Sequence, residues 1–151
     1  MPNQAFRIYT AKGYAGDLPD STSSLVTQSV VAAVPLGFGL AVDQDGGIAA
    51  GGTVHGITRR ELNHEATNKP SDGTTGYLVG ESVAVLRQGY IYVEVTVRAA
   101  VKGAALNVVD ATGEFTGGSA VAGETLTTNV IAEESGSVGD IIKVWVEHRP
   151  I

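Results

Sequence analysis

The chain has 151 residues and no cysteine, which suits one domain that folds without a staple and excludes disulfide frameworks, cysteine-ligated metals and cysteine nucleophiles. Charged residues make up only 17% while glycines number 20, a composition suited to short strands and turns and poor for helices. With 16 acidic against 10 basic residues the net charge is −6, which disfavours nucleic acid and anionic membranes as partners.

Residues 1–24 are turn-rich, with Gly13, Gly16, Asp17, Pro19, Asp20 and a Ser21-Thr22-Ser23-Ser24 run. Only Phe6 and Ile8, alternating with Arg7 and Tyr9, hint at a strand there, and the segment reads as an extended N-terminal arm. A β domain over 25–151 follows. No secretory signal is visible behind Arg7 and Lys12, and the longest apolar run, Val30 to Val42, is broken by Pro35, Gly37 and Gly39. It is too short to span a bilayer, so a soluble protein is expected.

From Leu25 the pattern predicts strands. Residues 25–34 are rich in Val and Thr, and Pro35 ends that strand because it cannot donate to a ladder. Phe38 to Val42 resumes it, Gln44-Asp45-Gly46-Gly47 is a turn, and a short strand covers Thr53 to Arg59. Residues 60–76 form a polar loop with at most one helical turn, around Arg60–Ala66. Ser82 to Arg87 and Tyr90 to Arg98 read as two strands joined at Gln88-Gly89 in a tight hairpin. In the second, Ile91, Val93, Val95 and Val97 alternate with Tyr90, Tyr92, Glu94, Thr96 and Arg98, so one face is buried and the other is not. Leu106–Val109, a turn at Asp110–Gly113, Glu114–Thr116, Thr125–Ala132 and Ile141–His148 complete the set. Short strands at this spacing predict an all-β fold: a single antiparallel β-barrel or a jelly-roll-like sandwich.

Catalytic and metal signatures are sparse. Gly37-Phe38-Gly39 has no helix behind it to make a phosphate loop, and no G-x-S-x-G elbow occurs. His55, His64 and His148 show no paired metal spacing. Asp43-Gln44-Asp45-Gly46-Gly47 begins like a calcium loop, but no further carboxylate follows within the span a loop needs, and a turn is the simpler reading. His64 between Glu61 and Glu65 is the one candidate for proton transfer, against a solvated loop of mixed charge. The expectation is no enzyme, no catalytic residues, no cofactor and no metal.

Aromatic placement is more informative. Tyr90 and Tyr92 share the polar face of their strand, and Trp145 alternates with Lys143 and Glu147 opposite Ile142, Val144 and Val146. Large rings on polar faces either pair across strands or form a contact surface. With Phe6, Ile8, Tyr9 and Tyr14 of the arm, Tyr90, Tyr92 and Trp145 make up the candidate interface.

One stretch, Tyr77-Leu78-Val79-Gly80-Glu81-Ser82-Val83-Ala84-Val85-Leu86-Arg87-Gln88-Gly89-Tyr90-Ile91-Tyr92-Val93-Glu94-Val95, resembles the core of the tailed-phage structural cement (capsid decoration) proteins. Gly13–Asp17, Pro35–Val42, Asp110–Phe115 and Asp140–Val146 resemble further segments of that family, in order and at matching spacings. The Arg59–Gly76 loop is longer than the family's tight connection. The resemblance implies a small β-barrel or jelly-roll-like domain that binds the outer surface of an icosahedral head. There it would act as a homo-oligomer, dimer or trimer, made in the bacterial host cytoplasm, and would bridge neighbouring major capsid proteins of the expanded shell. The family carries no catalytic residues. Two other readings stand beside this one: a carbohydrate- or receptor-binding β-sandwich of a virion fibre using Tyr90, Tyr92 and Trp145, and a small β-barrel enzyme using His64 with Glu61 or Glu65.

Overall fold

Eight strands, and no helix, organise the described part of the computed structural model, which covers residues 14–19, 25–49, 54–60 and 76–148. In chain order they are β1 (Val26–Val31), β2 (Ala41–Val42), β3 (Gly56–Thr58), β4 (Ser82–Thr96), β5 (Ala105–Val109), β6 (Phe115–Thr116), β7 (Glu124–Ala132) and β8 (Ile141–Val146). The fold is all-β. Five of them close a barrel in the order β4-β6-β5-β7-β8, with β8 returning to β4 through Gly89↔Val146 to Glu94↔Ile141. All its pairings are antiparallel but one: β6 lies parallel to the end of β4, Val95↔Phe115 and Thr96↔Thr116. That short parallel seam closes the ring.

The spine of the molecule is β4. Its first half belongs to a second, smaller sheet, flanked by β1 through Ser82–Gln88 on one edge and by β3 at Val85 and Leu86 on the other. Its second half is a barrel stave. The hairpin expected at Gln88-Gly89 is therefore replaced by one continuous strand. The reason lies in the turn chemistry: a two-residue hairpin needs left-handed backbone at its first central residue, here Gln88, and among the described non-glycine residues only Val97 has positive φ. Gly89 alone departs from strand geometry, at φ 136°, a value L side chains rarely adopt. It changes the facing of the strand without reversing it. Leu86 and Ile91, an odd separation that a regular strand would place on opposite faces, both enter the barrel core. Val83 and Val85 point the other way, into a second core with Val30, Leu36, Val42 and Tyr77.

The alternation expected in the second half of β4 holds through Val95 and then stops. Val97 was expected to be buried with Ile91, Val93 and Val95; it is 58% exposed, at φ 59°. The Arg98 amide donates to the Thr96 carbonyl at 2.6 Å, closing a γ-turn that swings Val97 outward. Arg98 fixes the turn: its amide also bonds the Thr116 hydroxyl, its Nε donates to the Gly117 carbonyl at 3.0 Å, and its guanidinium pairs with Glu124.

The segment around β3 is held by close backbone approach within its sheet and by buried polar bonds, one set of which reaches across to the barrel. Gly56 sits so near β4 that a methyl group there would lie 2.2 Å from Val85 Cγ1 and 2.7 Å from the Leu86 carbonyl oxygen. The Asn129 side chain on β7 holds the segment before β3, accepting from the Val54 amide (2.9 Å) and donating to the Val54 carbonyl (2.7 Å). The Tyr77 hydroxyl donates to the Arg59 carbonyl at 2.6 Å, with Phe38 edge-on against its ring. Residues 14–19 join the same structure. The Gly16 amide donates to the Tyr92 carbonyl and the Tyr92 amide to the Asp17 carbonyl, filling the edge of β4 between β3 and β6. Leu18 packs on the barrel core.

Candidate interaction surface

Tyr90 and Trp145 are direct cross-strand partners on β4 and β8, and their rings meet edge-to-face at 4.7 Å and 63°. Such a pair adds about 0.5–1.5 kcal/mol beyond its buried area. The Lys143 ammonium lies 5.1 Å from the Tyr90 ring centre, and the Trp145 indole N–H donates to the Glu147 carboxylate. Tyr92, opposite Lys143, extends this outward face of the barrel. All three rings are half-buried, so each keeps one side toward solvent. Strand alternation brings them together, with Ile91, Val93, Val144 and Val146 buried behind them.

Tyr14 is exposed, and the Arg60 guanidinium stacks 4.4 Å from its ring centre while also pairing with Asp17 at 3.2 Å. The Tyr14 amide donates to the Asp17 carboxylate at 3.0 Å, fixing the turn. The Gly16 and Asp17 backbone bonds to Tyr92 tie the segment that carries Tyr14 to the strand that carries Tyr90 and Tyr92. Phe6, Ile8 and Tyr9 lie outside the described residues, as do His64, Glu61 and Glu65.

The acidic motif at Asp43 is a turn. One Asp43 carboxylate oxygen accepts from the Asp45 and Gly47 amides, both at 2.9 Å. Among the described residues no group of three or more His, Cys, Asp or Glu is arranged to hold a metal ion. A cleft of about 110 Å³ lined by Phe38, Leu40, Glu94, Thr96 and Glu114 is small for an organic ligand, whose pockets run roughly 300–1,000 Å³.

Sequence reasoning passed over a cluster of cations around β1. Arg59 reaches across β4 to the Thr27 hydroxyl (3.4 Å), and Arg87 donates to the Gln28 side chain (3.0 Å) and the His55 carbonyl (2.8 Å). His55 Nε2 is buried without a partner among the described residues. Its pKa is lowered from 6.5 by burial first and by the Arg87 charge second, with Asp43 opposing. Sequence reasoning also passed over the outward placement of Val97, Val101 and Val138, all exposed. Nothing in a run of valines separates those that turn outward from those that pack.

With the barrel and its outward aromatic face established, comparison with known proteins settles the family. The chain matches structural cement proteins (E217 gp24/Pam3 gp6) over residues 1–146. It belongs to the structural cement protein family. A structural, capsid-stabilising role, association with capsid proteins and a place in the virion capsid come with that membership. A chain of the solved structure described as "The capsid of Myoviridae Phage XM1" shares the fold, with a TM-score of 0.69 and 20% identity over 91% of each chain. No curated protein matches the cement chain significantly.

Proposed function

We propose that this cement protein binds the outer surface of an icosahedral phage head as a homo-oligomer and stabilises the expanded shell by bridging neighbouring major capsid proteins. Family membership over residues 1–146 carries this reading. The distribution of side chains supports it: the apolar residues fill two cores joined through one strand, while rings and aliphatic side chains are displayed on outer surfaces. A protein of this kind acts through complementary surface repeated over a lattice, so that avidity replaces high affinity at a single site. Tyr14, Tyr90, Tyr92 and Trp145, together with Phe6, Ile8 and Tyr9, form the subunit or shell interface in this reading. The segment 1–24 serves as the arm, and synthesis takes place in the bacterial host cytoplasm.

The test is to add purified protein to expanded heads that lack it and to image them by electron microscopy. Ordered copies on the outer surface, clustered as dimers or trimers and touching more than one major capsid protein, are expected. So is a higher temperature of particle disruption. Heads that bind no protein, or bind it with no change in that temperature, overturn the reading.

A further inference from the structure

The edge of β1 that faces away from β4 is built to receive a strand. Its free direction follows from the hydrogen bonds around it. The Ala84 carbonyl accepts from Arg59 on the β3 side, so Ala84 does not bond its β1 neighbour, Ser29. Ala32, in contrast, donates to the Glu81 carbonyl on β4. Alternation then directs the N–H and C=O groups of Gln28 and Val30 to β4, and those of Thr27 and Ser29 away from it. Among the described residues no strand pairs with that outer edge. Natural proteins guard such edges with lysine, proline or inward charge. The β1 sequence, Val-Thr-Gln-Ser-Val-Val, has none of these; a bulge at Val26/Thr27 and the turn at Gly46, packed against the Val31 carbonyl, bound the open stretch at its two ends, and between them Thr27 to Ser29 are exposed.

Charge indicates what occupies it. Arg59 and Ser29 flank the same β4 residue, Ala84, and the Arg59 guanidinium lies beside Thr27 on that face of the sheet. Arg87 lies beside Gln28, whose side chain alternates to the other face. Two guanidiniums therefore straddle an uncharged strand in a chain of net charge −6. Arg59 Nε is a buried donor with no partner among the described residues. A second copy of β1 added across a two-fold axis would bring its own Arg59 and Arg87 against these. A strand carrying carboxylates on both faces would meet them with opposite charge.

We infer that β1 is the docking edge for an extended, carboxylate-bearing segment of the shell subunit, which adds to the β1-β4-β3-β2 sheet as a further strand. The inference rests on the shell-binding reading above and names the partner's contact within it. Main-chain bonds to Thr27 and Ser29 supply the attachment, and Arg59 and Arg87 select an acidic strand.

The experiment measures binding of the full chain to purified expanded heads. Ser29→Pro deletes one outward amide and leaves the bonds to β4 in place, a substitution edge strands tolerate. Arg59→Glu reverses one charge. Each should weaken binding about tenfold or more through the loss of paired main-chain or charged contacts. Circular dichroism melting confirms that each variant is folded. Hydrogen exchange on the unmodified protein gives a readout that needs no variant: the amides of Thr27 and Ser29 should exchange freely in solution and slow on the heads. Wild-type protein that does not bind heads sinks the shell-binding reading itself. Wild-type binding with undiminished Ser29→Pro binding overturns the inference alone. So does protection of Thr27 and Ser29 already in the free protein, which would assign the edge to this chain or to a second copy.

Discussion

Asn129 offers the sharpest test of what holds the two sheets together. Its carboxamide makes three short bonds: it accepts from the Val54 amide at 2.9 Å, and donates to the Val54 carbonyl at 2.7 Å and the Glu147 carbonyl at 2.6 Å. Asn129 is fully buried and Val54 is 1% exposed, so water cannot replace the side chain. Asn129→Ala leaves an amide and two carbonyls without this partner, at about 1–3 kcal/mol for each group that stays unsatisfied. Allowing for partial relaxation, the loss is about 3–5 kcal/mol, a large share of the ~5–15 kcal/mol that stabilises a typical domain. At about 2–4 °C per kcal/mol for a chain of this size, the melting temperature falls by on the order of 10 °C. Thermal and urea unfolding followed by circular dichroism measure it. Asn129→Asp separates bonding from packing, because it keeps the shape and one acceptor but turns an oxygen toward two carbonyls. Its folded-state pKa is raised above the ~3.9 of an unfolded Asp, so its deficit against wild type is full near neutral pH and shrinks as pH falls. A loss below about 1 kcal/mol for Asn129→Ala, or a pH-independent deficit for Asn129→Asp, refutes this account.

Two further outcomes follow from the same structure. His55 titrates below 6.5 in the folded protein because burial, with the Arg87 charge second, disfavours its charged form. Its contribution to stability is complete above that pH and is lost as pH falls through the window beneath it, so urea midpoints should decline from neutral toward acid pH. His55→Gln should flatten that decline, and an equal decline in both proteins contradicts the assignment. At Val97 the left-handed backbone costs an L residue roughly 1–2 kcal/mol, a glycine gives back about 0.5–1 kcal/mol in unfolded-state entropy, and an exposed valine has little burial to lose. Val97→Gly should therefore leave stability unchanged or raise it by up to about 1 kcal/mol; a larger loss than that shows that the valine is held by packing.

The strands were legible because they obey period two. Ile141–Val146 and the stretch from Tyr90 to Thr96 announce themselves by alternation, and Tyr90 and Trp145 meet where that alternation places them. The false hairpin at Gln88-Gly89 arose because a glycine between two apolar runs has the same signature whether the chain reverses or only changes face. What decides between them is the set of partners on each half of β4, which are distant in sequence. Asn129 was invisible for a related reason: within Thr125–Ala132 an asparagine reads as a solvent-facing residue, and its partner Val54 lies 75 positions away. Arg59 and Arg87 read as scattered charge until β3 and β1 are seen flanking the same stretch of β4. Long-range pairing, which period-two patterns do not encode, accounts for each miss.

The same long-range pairing bears on how a cement protein resists load. The β1 edge hangs on the first half of β4, and the Tyr90–Trp145 face stands on its second half. At about 3.3 Å per residue, β4 is a continuous covalent strut of roughly 50 Å. Tension between a partner at β1 and one at the barrel aromatics would run along this backbone and be shared by ladders on both of its edges. Two domains on a linker would instead stretch the linker before either sheet took up force. A true hairpin at Gly89 would fold the strut back on itself and put both contacts at one end. If the protein bridges shell subunits as proposed, the uninterrupted passage through Gly89 is the feature that would carry load from one contact to the other, with a residue that leaves strand geometry accommodated in the middle of the longest strand.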